Sequence, residues 1–301
     1  MNVLVIGKSG QIARALAKLQ QASCLNYKFA GRSEADLCSP DRLEGAVSRI
    51  RPRLIINAAA FTAVDQAEAE PAVAYAVNAD GPRHLAAICR QAGIPLIQLS
   101  TDYVFDGAKG TPYAPDDPVN PINVYGASKE AGETAVREAL REHIILRLAW
   151  VYDETGRNFV TTMLSLANNR PELRIVTDQT GTPTYAFDAA RAIDCIATTT
   201  LSAAKYWGTY HLTNKGQTNW FAFAETIFTI TRRFDRPTPK LVPITTSEFA
   251  APARRPLYSV LDTNITSQRY SISMPDWQDG LERCIAAICA PDTMPIQDHS
   301  K

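Results

Sequence analysis

Val3-Leu4-Val5-Ile6-Gly7-Lys8-Ser9-Gly10-Gln11-Ile12-Ala13 is the stretch whose reading decides the fold. Its apolar run stops at Gly7, and Ile12, Leu16 and Leu19 then recur at helical spacing. That is a strand, a glycine turn and a helix. The turn is a G-x-x-G-x-x-A variant in which Gly7, Lys8, Ser9, Gly10, Gln11 and Ile12 are candidate contacts for a dinucleotide. Small residues there let the backbone approach a pyrophosphate, and the helix start aims its N–H groups and positive dipole end at it. A plain tight strand-to-helix turn would read the same way.

The alternation continues outward. Strands are predicted at 27–30, 54–58, 96–99 and 144–150, with helices at 41–51, 71–92 and 126–141 between them. Continuous apolar strands separated by amphipathic helices predict an α/β fold, a Rossmann-type doubly wound parallel sheet with helices on both faces. Beyond Tyr152 the pattern weakens, and Pro and Thr thicken around Thr177–Thr184 and Arg236–Pro256. The expected organisation is therefore a dinucleotide-binding domain over 1–152, rejoined by about 184–214 through a helix and a strand. A smaller α/β substrate-binding lobe takes 153–183 and 215–290, and 291–301 reads as a loose tail.

Length and composition bound the rest. A chain of 301 residues, 46% hydrophobic and 21% charged, can bury a core without staples. Lys plus Arg equals Asp plus Glu at 31 each, so a nucleic-acid partner is not expected. No apolar run approaches the roughly 18 residues a membrane helix needs, so no membrane partner is expected and the chain reads as cytoplasmic. The six cysteines are scattered without C-x-x-C, and the four histidines are isolated, so no metal site is assigned.

Three further segments carry chemistry. Asn57-Ala58-Ala59-Ala60 closes the third strand at the carboxyl edge of the sheet, where open α/β sheets bind ligands, so Ala58, Ala59 and Ala60 join the cofactor candidates. Leu99-Ser100-Thr101-Asp102-Tyr103 ends the next strand, with Ser100 on the cofactor side. Asn123-Val124-Tyr125-Gly126-Ala127-Ser128-Lys129 starts a helix, and four-residue spacing puts Tyr125 and Lys129 on one face. An ammonium there would lower the pKa of a phenol that otherwise titrates near 10, although the same spacing also fits a solvated helix face. After the second strand, where an acidic residue would favour a ribose hydroxyl, the chain reads Gly31-Arg32-Ser33. Arg32 can pair with a 2′-phosphate, which predicts NADPH, while Glu34 or Asp36 is near enough to reach an adenosine hydroxyl and admit NADH.

Taken in order, G-K-S-G-Q-I, N-A-A-A-F-T-A-V-D-Q-A-E, S-T-D-Y-V-F-D-G, P-I-N-V-Y-G-A-S-K-E-A-G-E, L-R-L-A-W-V-Y and D-Q-T-G-T-P-T resemble the extended short-chain dehydrogenase/reductase family, and within it the dTDP-4-dehydrorhamnose reductases. The resemblance spans residues 1 to about 262. It implies reduction of the C4 ketone of a nucleotide-activated deoxyhexulose, with that nucleotide sugar as substrate and a monomer or homodimer as the working form. Thr101, Tyr125 and Lys129 would be catalytic: Tyr125 as proton donor, Thr101 on the ketone, and Lys129 on the ribose hydroxyls. Asp102, Trp150 and Arg255 would join Thr101 in the sugar pocket. A nucleotide-sugar dehydratase would be expected to carry Asp-Glu where this chain has Asp102-Tyr103. Some members hold magnesium at a dimer interface with first-helix carboxylates, but Arg14-Ala15-Leu16 offers none, so function without metal is expected. Two alternatives stay open: a cofactor-binding regulatory subunit like that of methionine adenosyltransferase, or another nucleotide-sugar reductase or epimerase.

Overall fold

The computed structural model describes residues 1–202 and 206–290, so the expected tail at 291–301 lies outside the described residues. Strands β1 (Asn2–Ile6), β2 (Asn26–Ala30), β3 (Leu54–Asn57), β4 (Leu96–Thr101) and β5 (His143–Leu148) alternate with helices. Short strands β6 (Val151–Tyr152), β7 (Glu172–Val176), β8 (Thr180–Gly181) and β9 (Thr184–Tyr185) follow, and then the long helix Ala186–Ser202. β10 (Gly208–His211) next returns the chain to the main sheet, and β11 (Thr218–Asn219) and β12 (Lys240–Ile244) lie beyond it.

The main sheet has the order β10-β5-β4-β3-β1-β2, and every pairing in it is parallel. One face is covered by helices Gln11–Leu19 and Ala186–Ser202, through Leu16, Ile193 and Ile196. The other is covered by Pro40–Ile50, Gly81–Ala92 and Val124–Ala139, through Leu43, Leu85 and Val136. Both faces being buried is why the strands read as unbroken apolar runs. A separate core gathers Tyr152, Met163, Ile175, Phe223, Ile227, Trp277 and Leu281 around the β7–β12 pair. All six cysteines are free thiols.

Two sequence expectations need correction, and one helix has no counterpart among them. The 71–92 stretch is helical, but Ala76–Asp80 is a π-helical turn between Pro71–Tyr75 and Gly81–Ala92. Close packing at Gly132 accompanies it: a Cβ on that glycine would stand 2.0 Å from the Asn78 carbonyl oxygen, so the two helices touch backbone to backbone. Helix Val64–Ala69 was not foreseen, because six residues are too few to show a period. The 144–150 strand stops at Leu148, since Trp150 takes a left-handed φ of 47° and turns the chain into β6.

Candidate active site

The glycine turn is fitted directly onto the end of β3. Gly7 has φ 101°, and a Cβ there would lie 2.7 Å from the Ala59 nitrogen. Ala58 N–H donates to the Ile6 carbonyl at 2.9 Å, so the G-K-S-G and N-A-A-A segments form one surface. Gly10 caps the first helix in extended conformation with no side-chain cap, which leaves first-turn N–H groups for a ligand. The half-buried Gln11 amide donates to the Val151 carbonyl at 3.3 Å, and its buried Oε1 has no partner among the described residues. This cradle fits a dinucleotide pyrophosphate.

Thr101 ends β4, and Tyr125 and Lys129 share the inner face of the Val124–Ala139 helix. Asn123 caps that helix by accepting from Gly126 N–H at 2.7 Å. Gly126 admits close approach, because a Cβ on it would lie 2.1 Å from the Tyr103 carbonyl oxygen. The helix start is thereby pressed against the segment that follows Thr101. Tyr125 shares a side-chain hydrogen bond with Thr101 and meets Tyr103 edge to face, with ring centroids 5.6 Å apart. Lys129 Nζ donates to the Leu99 carbonyl at 2.7 Å. The structure therefore brings the three predicted catalytic residues together, with Ser100 buried among them.

The electrostatic expectation for the pair is reversed. Burial pushes the Tyr125 hydroxyl up to about 12, with the Thr101 hydrogen bond only partly opposing it. Burial pulls Lys129 down to about 8, against the pull of the Glu133 carboxylate. The i,i+4 spacing did set both side chains on one face, but the ammonium serves the Leu99 carbonyl, and loss of water governs both groups. Tyr125 is thus a phenol that keeps its proton at neutral pH.

Asp102 is buried: its Oδ1 accepts from the Thr101 hydroxyl at 3.1 Å and its Oδ2 has no partner among the described residues. Burial raises it to about 6, opposed by hydrogen bonds from Ser259 and Thr101. Trp150 stacks on Trp220 with centroids 3.5 Å apart and packs beside Val104 and Phe105. Arg255 pairs with Asp65 at 2.8 Å and hydrogen-bonds Tyr103. Arg32 is less engaged than expected: its side chain is 81% exposed, and its partner is the Asp36 carboxylate at 3.4 Å. Asp36 itself accepts from Cys38 N–H at 3.0 Å in an exposed local turn.

Sequence reading missed the residues behind this front. Asn78, in the π turn, accepts from Phe61 N–H at 2.9 Å and donates to the Ser128 hydroxyl at 3.0 Å, tying the N-A-A-A-F segment to the Val124–Ala139 helix. Glu133 continues the Tyr125, Lys129 face by four more residues, and there a helical-spacing signal was available. It accepts two hydrogen bonds from buried Arg147, at 2.9 and 2.7 Å, and a third from Arg137 at 3.0 Å. Although burial works to raise it, those guanidinium groups hold Glu133 below the ordinary carboxylate range. Arg147 also reaches His211 at 3.4 Å, a histidine that burial and that cation hold far down, to about 3.

A family model described as RmlD substrate binding domain matches residues 1–289. A dTDP-4-dehydrorhamnose reductase of Sinorhizobium fredii is 41% identical over 290 residues, 96% of this chain and 98% of that one. The chain belongs to the dTDP-4-dehydrorhamnose reductase family. The member from Escherichia coli K12 is 39% identical, over 95% of this chain and 97% of its own. A crystal structure of the Bacillus anthracis member in complex with NADP superposes with a TM-score of 0.87 at 36% identity, covering 95% of this chain and 99% of that one. Among the described residues of this chain no helix is long and apolar enough to cross a membrane.

Proposed function

We propose that this chain reduces the C4 ketone of dTDP-4-dehydro-L-rhamnose with NADPH, giving dTDP-L-rhamnose for deoxysugar and cell-surface polysaccharide synthesis. The observation that carries the reading is the buried Thr101, Tyr125, Lys129 cluster at the carboxyl end of β4. The reduced nicotinamide, when bound, supplies the hydride. Gly7 to Ile12 and Ala58 to Ala60 would hold its dinucleotide. Tyr125, which retains its proton at neutral pH, delivers it to the carbonyl oxygen as negative charge builds there. Lys129 offers a cation to the tyrosinate left behind and to ribose hydroxyls, and Thr101 donates to the ketone oxygen. Asp102, Trp150 and Arg255 line the sugar side.

A Tyr held above its free value enters the reduction protonated but as a weaker acid, so the Lys129 cation and the charge growing on the ketone oxygen must draw the proton off. The support for NADPH is the family membership, with Arg32 available for its 2′-phosphate. In this reading residues 1–152 and 184–214 form the cofactor domain, while 153–183 and 215–290 form the sugar lobe. The working form is a cytoplasmic monomer or homodimer that engages no nucleic acid. The test supplies dTDP-4-dehydro-L-rhamnose generated in situ and follows NADPH absorbance. One NADPH consumed per dTDP-L-rhamnose formed is expected. Cofactor binding without turnover would transfer the chain to the regulatory-subunit class.

A further inference from the structure

Asp65 lies on the short helix Val64–Ala69, just after the N-A-A-A surface, and carries no role in the chemistry above. Both of its oxygens are committed to one short segment of chain far away in sequence. Its Oδ1 accepts from Ala253 N–H at 3.2 Å and its Oδ2 from Arg255 Nη2 at 2.8 Å. Arg255 in turn folds its Nη1 back onto the Ala253 carbonyl at 3.3 Å and lies over the Phe249 ring at 5.9 Å. The same guanidinium hydrogen-bonds Tyr103, two residues past Thr101. Asn123, the cap of the catalytic helix, donates to the Arg254 carbonyl at 2.8 Å. Glu68, one turn beyond Asp65, accepts from Val124 N–H at 2.8 Å. The 253–255 segment is therefore strapped to the elements that carry Thr101 and Tyr125, and one carboxylate sets the direction of its half-buried cation.

Exposed ion pairs add little to stability, and the Asp65 side chain is 44% exposed. What a carboxylate does add here is direction: it takes one edge of a planar guanidinium and leaves the remaining donors pointing a fixed way. We propose that Asp65 is a positioning residue that aims Arg255 at the phosphate oxygens of the nucleotide sugar. The proposal rests on the reductase reading above. It would place the charged middle of the substrate under the strap, with the sugar end toward Thr101 and Tyr125.

The experiment is a double-mutant cycle with Asp65→Asn and Arg255→Ala, assayed with dTDP-4-dehydro-L-rhamnose and NADPH. Asp65→Asn keeps an oxygen for Ala253 N–H and removes the charge together with the acceptor of Arg255. It is expected to raise the sugar KM about tenfold, as loss of one aimed charge-assisted contact would. The NADPH Kd and Tm should stay at parent values, and kcat should change less than about threefold. Asp65→Glu should recover part of the loss. In the Arg255→Ala background, Asp65→Asn should have no further effect on KM, because the carboxylate acts through that arginine. An unchanged sugar KM in Asp65→Asn, an equal effect with and without Arg255, or a loss spread over NADPH binding and Tm would each overturn the proposal. A parent enzyme that fails to turn over the sugar overturns the reductase reading instead, and this inference with it.

Discussion

Two regions at the carboxyl edge of the same sheet are held in opposite ways. The helix face bearing Tyr125, Lys129 and Glu133 is buried, and each polar group on it has a defined partner: Thr101, the Leu99 carbonyl and the Arg147 guanidinium. The turn after β2 bearing Arg32 and Asp36 is local and wet, with Arg32 81% exposed. Where water is excluded, every charge must be answered by another group, so geometry and protonation become properties of the whole fold. Where water is present, a side chain costs little to leave free and waits for its ligand.

The largest effect should come from the buried face. Tyr125→Phe is expected to keep cofactor affinity and Tm while kcat falls by about 10² to 10⁴-fold, the usual range for a lost proton donor. Single-turnover absorbance under saturating sugar measures it, and near-parental chemistry would remove Tyr125 from the donor role.

Glu133→Gln comes next. It leaves Arg147 charged and buried without its bidentate partner, and should destabilise by about 3 to 5 kcal/mol in urea unfolding. Because Glu133 supports the charge on Lys129, the same variant should move the basic limb of kcat/KM to lower pH. A basic limb that stays in place would show that Lys129 titrates independently of Glu133.

Lys129 supplies a third test, in which stability and activity run in opposite directions with pH. Its folded pKa is about 8 against an ordinary 10.5, so between these values the unfolded chain holds more protons and stability rises with pH. Activity should fall through the same window as the ammonium is lost. Relative to Lys129→Met, the parent should gain about 2 kcal/mol from pH 8 to pH 10. Above pH 10 Tyr125, whose folded value is the higher one, begins to act in the opposite sense.

Arg32→Ala, in the wet turn, should narrow the preference for NADPH over NADH by about tenfold, the low end for a charge-assisted contact because water shares the site. An unchanged kcat/KM ratio would take Arg32 out of the cofactor site. The smallest expected effect is none: EDTA should leave activity intact. The first helix places Arg14 and Lys18, not carboxylates, toward Asp153 and Glu154, at 3.1 Å from Arg14 to Asp153. Loss of activity on chelation that magnesium restores would reveal a metal site.

The sequence by itself determined the parallel sheet, the glycine turn and the shared face of Tyr125 and Lys129, because each is written in local period or spacing. Apolar runs of four to six residues broken by glycine turns have few other solutions, and Tyr125 and Lys129 are neighbours on any helix. Tertiary structure decided what those residues experience. The rise of Tyr125 and fall of Lys129 follow from burial beneath Tyr103 and β4, which no spacing of four residues records. The π turn that sets Asn78 against Ser128, the Glu133–Arg147 pair fourteen residues apart and the Asp65–Arg255 pair 190 residues apart all arise from chain segments meeting in space. Hydrogen bonds and desolvation act over a few ångströms regardless of chain separation, so these features belong to the fold and not to any stretch of its sequence.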